Sequence, residues 1–167
     1  MAPRVVLIGP PAAGKSRVGR RLATRLELPF IDTDAVIVAE HGPIAEIFNT
    51  AGEAEFRRLE RGAVHEALTK RAVVSLGGGA VLDPETRREL AAAPVVLITI
   101  SAAAAARRID NHKRPLITGI QSWQQLVDAR SGLYRELADY TVDSSTRPVT
   151  KLVEDIAEWI KTTGMDL

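Results

Sequence analysis

Residues 5–17 read VVLIGPPAAGKSR, and this join constrains the fold more than any other stretch of the chain. These four apolar residues, without polar alternation, predict with Arg4 before them a strand, Arg4–Ile8, covered on both faces. The turn after it, from Gly9 to Ser16, fits G-x-x-x-x-G-K-[ST], a loop whose backbone N–H groups converge on phosphate oxygens. A helix opening at Lys15 would add its positive N-terminal end. Lys15 can reach the outer phosphates, and the Ser16 hydroxyl can ligate Mg²⁺. The predicted nucleotide-binding set is therefore Gly9, Ala12, Ala13, Gly14, Lys15, Ser16 and Arg17. Ala12 is not the glycine that a tight loop favours, and its Cβ narrows the allowed backbone there.

A strand that feeds a phosphate loop belongs to a parallel sheet, and the remaining chain supplies its partners. Pro29–Ile31, Ala72–Leu76, Val95–Ile100 and Tyr140–Val142 are short and rich in Val, Ile and Leu, as doubly covered strands should be. Between them lie amphipathic stretches: Ala35–Glu40, Ala51–Thr69, Trp123–Leu137 and Val149–Lys161. Alternation of this kind predicts an α/β domain of three layers. The 167 residues suit one domain, 1–167. A net charge of +1 gives no field that would recruit nucleic acid or an anionic membrane. The chain has no cysteine, which removes disulfides and thiolate chemistry and fits a reducing cytoplasm. Its longest uncharged run, AAAPVVLITISAAAAA, contains a proline and is shorter than the roughly 20 apolar residues of a spanning helix. A buried strand followed by an alanine-rich helix is expected there. Residues 110–121, DNHKRPLITGIQ, break the pattern and predict a loop.

The acids and glycines at other strand ends extend the site. Ligands of parallel sheets gather outside the carboxyl ends of strands, so Asp32 and Asp34 should flank the phosphate loop. In an extended chain the two would point the same way, one toward Mg²⁺ through water and one toward an alcohol. Capping of the next helix is the competing account. Arg57 and Glu60 share a helical face, although Arg57 also lies four residues from Glu53, as in an ordinary surface ion pair. Gly77-Gly78-Gly79 ends the third strand, where bare backbone is costly unless a ligand approaches it or a tight turn demands it. His41, His65 and His112 are too scattered for a metal site, and Trp123 and Trp159 read as packing residues.

Taken together, GPPAAGKS, FIDTD, GEAEFRRLE, SLGGGAV, KRPL and RSGLYRELADYTVD resemble shikimate kinases over nearly the whole chain. The resemblance implies a nucleoside-monophosphate-kinase-like fold with a five-stranded parallel sheet of order 2-3-1-4-5. It also implies a mobile lid at about 108–121 and a substrate-binding helical region at about 33–60. The implied activity is transfer of phosphate from ATP to the 3-hydroxyl of shikimate, in aromatic amino-acid biosynthesis. Asp34 would bind ring hydroxyls near the attacking one. Arg57 and Arg130 would hold the substrate carboxylate, Glu60 would orient them, and Gly78 and Gly79 would lie against the ring. Two forked guanidinium groups with an acid suit a carboxylated polyol. Arg114 would reach the ATP phosphates from the lid, with Lys15 and Asp34 completing the catalytic set. Ser16 and Asp32 would hold Mg²⁺, and Arg108 and Arg147 would flank the adenine. At the adenine the match is looser, and for Arg107 and Arg108 a solvated helix end is the competing account. A gluconate kinase would leave the two arginines and the Gly-Gly-Gly floor unexplained. A regulatory protein on a degenerate kinase need not retain the acceptor residues, and a switch GTPase would need an N-K-x-D motif that is absent. A cytoplasmic monomer acting on a small molecule is the resulting expectation.

Overall fold

The computed structural model describes residues 3–109 and 119–163. Five strands, β1 (Val5–Ile8), β2 (Phe30–Asp32), β3 (Val73–Ser75), β4 (Val95–Thr99) and β5 (Tyr140–Asp143), form a sheet of order β2-β3-β1-β4-β5. All its pairings are parallel. β1 is central because its residues are apolar throughout: Val5 pairs with Val73 on one side and Val6 with Val95 on the other.

The period-2 geometry of β1 sends its side chains to two cores. Val5 and Leu7 join one cluster with Val18 and Leu22 of α1 (Lys15–Leu26) and Leu152 and Ile156 of α7 (Val149–Thr162). Val6 and Ile8 join the other, with Val64 of α3 (Ile44–Ala67), Leu90 of α4 (Pro84–Leu90) and Tyr134 of α6 (Ile120–Leu137). Helices therefore cover both faces, as the unbroken apolar strands required. A third, smaller cluster of Ile37, Ile47 and Phe56 joins α3 to α2 (Thr33–His41).

Two local expectations change. The helix expected from Ala51 begins at Ile44, because two helical stretches meet at Gly52, whose φ of 86° leaves helical space. The chain is also not extended between Asp32 and Asp34: α2 starts at Thr33, so Asp32 is its N-cap and Asp34 lies in its first turn. The two carboxylates therefore follow cap geometry rather than strand alternation. Most of the segment expected as a lid, including Arg114 and His112, lies outside the described residues. Among the described residues, no helix is long and apolar enough to cross a membrane.

Candidate active site

The carboxyl ends of β1, β2 and β3 open into a cleft of about 970 Å³. Among the described residues, every site residue predicted from the sequence lines it except Gly9. Gly9 acts from behind the cleft. A Cβ there would lie 2.3 Å from the carbonyl oxygen of Ile98, so only glycine lets the loop leave β1 against β4.

At the phosphate-loop end, Lys15 is 9% exposed and donates to the carbonyls of Gly9 at 2.8 Å and Pro10 at 2.9 Å. Gly14, with φ of 90°, caps α1, so the helix begins directly at the lysine. Ala12 has φ of 72°, the left-handed region that glycine enters freely. Ala12 thus keeps a glycine-type backbone although its Cβ narrows the choice, so the loop holds it where an alanine is disfavoured. Ser16 donates its hydroxyl proton to Oδ2 of Asp32. The other oxygen, Oδ1, accepts from the N–H groups of Asp34 at 3.0 Å and Ala35 at 3.2 Å. Capping and facing the phosphate loop are thus two uses of one carboxylate. A hydroxyl and a carboxylate side by side at a helix N-terminus form a hard oxygen pair suited to Mg²⁺, which commonly takes one or two carboxylates and completes its shell with phosphates and water.

Arg108, the last arginine of α5 (Ala102–Ile109), is no solvated helix end. Its Nη1 donates to the carbonyl of Ala12 at 2.9 Å and its Nη2 to that of Ser144 at 3.1 Å. Arg147 lines the same end of the cleft and forms an ion pair with Asp155.

At the other end, Arg57 Nη1 donates to Glu60 Oε1 at 2.7 Å. The bland pairing exists too: Arg57 Nε lies 3.4 Å from Glu53 Oε2, but Glu53 is exposed whereas Glu60 is 3% exposed. The three glycines prove to be a close approach of side chains to backbone. A Cβ on Gly77 would meet Asp34 Oδ1 at 2.7 Å and Glu60 Oε2 at 3.0 Å, and one on Gly79 would meet the Arg57 guanidinium at 2.5 Å. Two carboxylates and a guanidinium thus converge over the same bare turn. Arg130, 6% exposed on α6, shares this end of the cleft.

Burial pushes the Glu60 carboxyl above its usual range, opposed by the charge and hydrogen bond of Arg57; Asp34 pushes it further up and Arg130 pulls it down. The native state therefore binds this proton more tightly than the unfolded chain. Glu60 adds to stability below the usual carboxylate range, and that contribution is lost as pH rises through its raised native value. Glu60→Gln is expected to flatten this part of the stability–pH curve, which melting temperatures taken from the usual carboxylate range upward would read. An unchanged pH slope would remove Glu60 as its source.

Four neighbours of the site carried no site role in the sequence, Trp123 having read as a packing residue. Tyr134 donates to the carbonyl of Gly78 at 2.6 Å, with its phenol pushed up by burial. Ser144 donates to the carbonyl of Ala13 at 2.7 Å and Trp123 to that of Pro11 at 2.7 Å. Gly77 is as close to the acids as Gly79 is to Arg57. The first three bind main-chain carbonyls, which carry no residue-specific signal; Gly77 could have been found with its two neighbours.

A parallel sheet with this strand order, a phosphate loop at its central strand and an acid–arginine cluster facing it define a P-loop kinase acting on a small molecule. A family model for shikimate kinase matches residues 11–161. A shikimate kinase of Mycobacterium avium is 50% identical over 153 residues, covering 88% of this chain and 87% of that protein. One of Saccharopolyspora erythraea is 44% identical over 164 residues, covering 95% and 94%. Among solved structures, the shikimate kinase of Acinetobacter baumannii in complex with shikimate superposes with a TM-score of 0.90, at 31% identity over 99% of this chain and 96% of that one. A gluconokinase of Sinorhizobium meliloti, at 20% identity and a TM-score of 0.58, shares the fold alone. The chain belongs to the shikimate kinase family.

Proposed function

We propose that the chain transfers the γ-phosphoryl group of ATP to the 3-hydroxyl of shikimate, giving shikimate 3-phosphate and ADP. The observation that supports this most is the arrangement of Asp34, Arg57, Glu60 and Arg130 in one cleft with Lys15 and Ser16. The phosphate end holds the donor. On binding ATP, Lys15 exchanges its loop carbonyls for phosphate oxygens and neutralises charge that grows on the transferring group. Arg114, from the segment outside the described residues, is assigned the same task from the lid. Ser16 and Asp32 would hold Mg²⁺, which supplies charge neutralisation at the outer phosphates. Arg108 and Arg147 are assigned to the nucleotide side.

At the acceptor end, the fork of Arg57 takes the shikimate carboxylate with Arg130, while Glu60 fixes the orientation of Arg57. Gly78 and Gly79 offer backbone to the ring, and Asp34 accepts a hydrogen bond from the attacking hydroxyl and aims its lone pair at phosphorus. A loose transition state places more weight on this orientation than on proton removal. Asp34→Asn keeps the size and loses the charge; it should lower kcat about a hundredfold with little change in ATP KM, in keeping with the range for a positioned acid or base. An Asp34→Asn enzyme within threefold of the wild type would remove Asp34 from the reacting end.

The test is ATP consumption by purified protein with Mg²⁺, with shikimate or gluconate as acceptor. Turnover that requires shikimate supports the reading. ATP binding with no shikimate-dependent turnover would overturn it. A cytoplasmic, monomeric enzyme is part of the same proposal, and sedimentation of the purified chain measures its second half.

A further inference from the structure

Five consecutive carbonyls of the phosphate loop, from Gly9 to Ala13, each accept a hydrogen bond from a side chain. Lys15 serves Gly9 and Pro10 from within the loop. The next three are served from outside by three separate elements: Trp123 of α6 binds Pro11, Arg108 of α5 binds Ala12, and Ser144 beyond β5 binds Ala13. A phosphate cradle works by presenting N–H groups, and a carbonyl turned toward the anion would repel it. Each outside donor keeps one carbonyl turned away.

The need for this is greatest at Pro11 and Ala12. Ala12 occupies left-handed backbone, with φ of 72°, without being glycine. Such a conformation persists in a residue with a Cβ only where its surroundings hold it. The peptide between Pro11 and Ala12 carries the Pro11 carbonyl, and the Trp123 indole N–H fixes that oxygen at 2.7 Å. Trp123 is 1% exposed, so its indole N–H is shielded from water, while Pro11 borders the cleft.

We propose that Trp123 is a positioning residue for the nucleotide site: its indole N–H sets the Pro11–Ala12 peptide and so the phosphate cradle. This rests on the reading of that loop as the nucleotide site. Trp123 is not simply a core residue of α6, because the same buried helix face carries Arg130 to the acceptor end, and the two requirements can be separated. Loss of indole packing alone would disturb α6 and weaken both ligands. Loss of the N–H should weaken the nucleotide selectively.

Trp123→Phe, which keeps an aromatic ring and removes the donor, is the variant to make. Expected is a rise of about tenfold in the Kd for Mg·ADP and in the KM for ATP, the order lost with one buried hydrogen bond to a main-chain acceptor. The shikimate KM should stay within about twofold, since the arginines are untouched. The wild-type protein gives an independent reading should the variant fold poorly. The chain has only two tryptophans, so its indole N–H spectrum holds two signals, assigned with Trp159→Phe. The Trp123 signal should exchange slowly with solvent and shift on addition of Mg·ADP. Unchanged ADP affinity in Trp123→Phe, equal losses for both substrates, or a Trp123 signal indifferent to Mg·ADP would each overturn the inference while wild-type binding stands. A wild-type chain that does not bind Mg·ADP would overturn the nucleotide reading, and this inference with it.

Discussion

Lys15→Ala is expected to lower kcat by about a thousandfold while the affinity for shikimate changes by less than about threefold. Removing a single preorganised donor from a site of developing negative charge costs on the order of 10²–10³ in rate, and Lys15 carries a full charge in a largely buried position. A thousandfold corresponds to about 4 kcal/mol of transition-state stabilisation. The lysine is the first residue of α1 and the acceptor residues belong to α2, α3, the turn after β3 and α6, so acceptor binding should be spared. Removing the lysine also leaves the Gly9 and Pro10 carbonyls without this donor, and some fall in melting temperature is expected. Steady-state kinetics beside a direct shikimate titration would decide the matter. Weakened shikimate binding in parallel with kcat would mean that the substitution has deformed the cleft.

Arg57→Ala should give the opposite division. We expect kcat/KM for shikimate to fall by about 10²–10³, as when one partner of a buried charge-assisted pair is truncated, with the Kd for Mg·ADP unchanged. Arg57→Lys should recover little, because an ammonium cannot reproduce the fork that serves Glu60 and a substrate carboxylate together. The truncation has a second consequence. Glu60 is buried and would lose the hydrogen bond at 2.7 Å from Arg57. Breaking a fully buried pair typically costs about 3–5 kcal/mol, and less is expected here because Arg57 is partly exposed and Arg130 remains. A loss of activity could therefore reflect partial unfolding rather than a missing substrate contact. Adding Glu60→Gln separates the two: the double variant should regain thermal stability and remain inactive. Recovery of both would reduce Arg57 to a stabilising counter-ion.

These two variants probe parts of the site that differ in how legible they were. The phosphate end is a contiguous motif. Its backbone shape follows from Gly9, Gly14 and the helix start at Lys15, so eight residues carry nearly the whole argument; even the constraint on Ala12 was foreseeable from the tight loop it sits in. The acceptor end is assembled from α2, α3, the turn after β3 and α6. Taken alone, Arg57 and Glu53 read as an ordinary surface pair, and burial, which distinguishes Glu60 from Glu53, has no local signal. Asp32 and Asp34 illustrate the opposite error. Both line the cleft, but the extended chain drawn between them ignored that Asp32 could cap the next helix and still face Ser16.

The sequence by itself determined the α/β layering, the phosphate loop with its lysine and serine, and the family, because these depend on the order of side chains along short stretches and on stereochemistry within them. Only the tertiary structure decided that Trp123, Arg108 and Ser144 hold three successive carbonyls of that loop, that Tyr134 holds Gly78, and that Gly77 and Gly79 are bare so that Asp34, Glu60 and Arg57 can press against them. The physical reason is that the partners in these contacts are main-chain atoms. Every residue has a carbonyl, so a sequence cannot say which one a distant indole or hydroxyl will meet until the chain has folded around it.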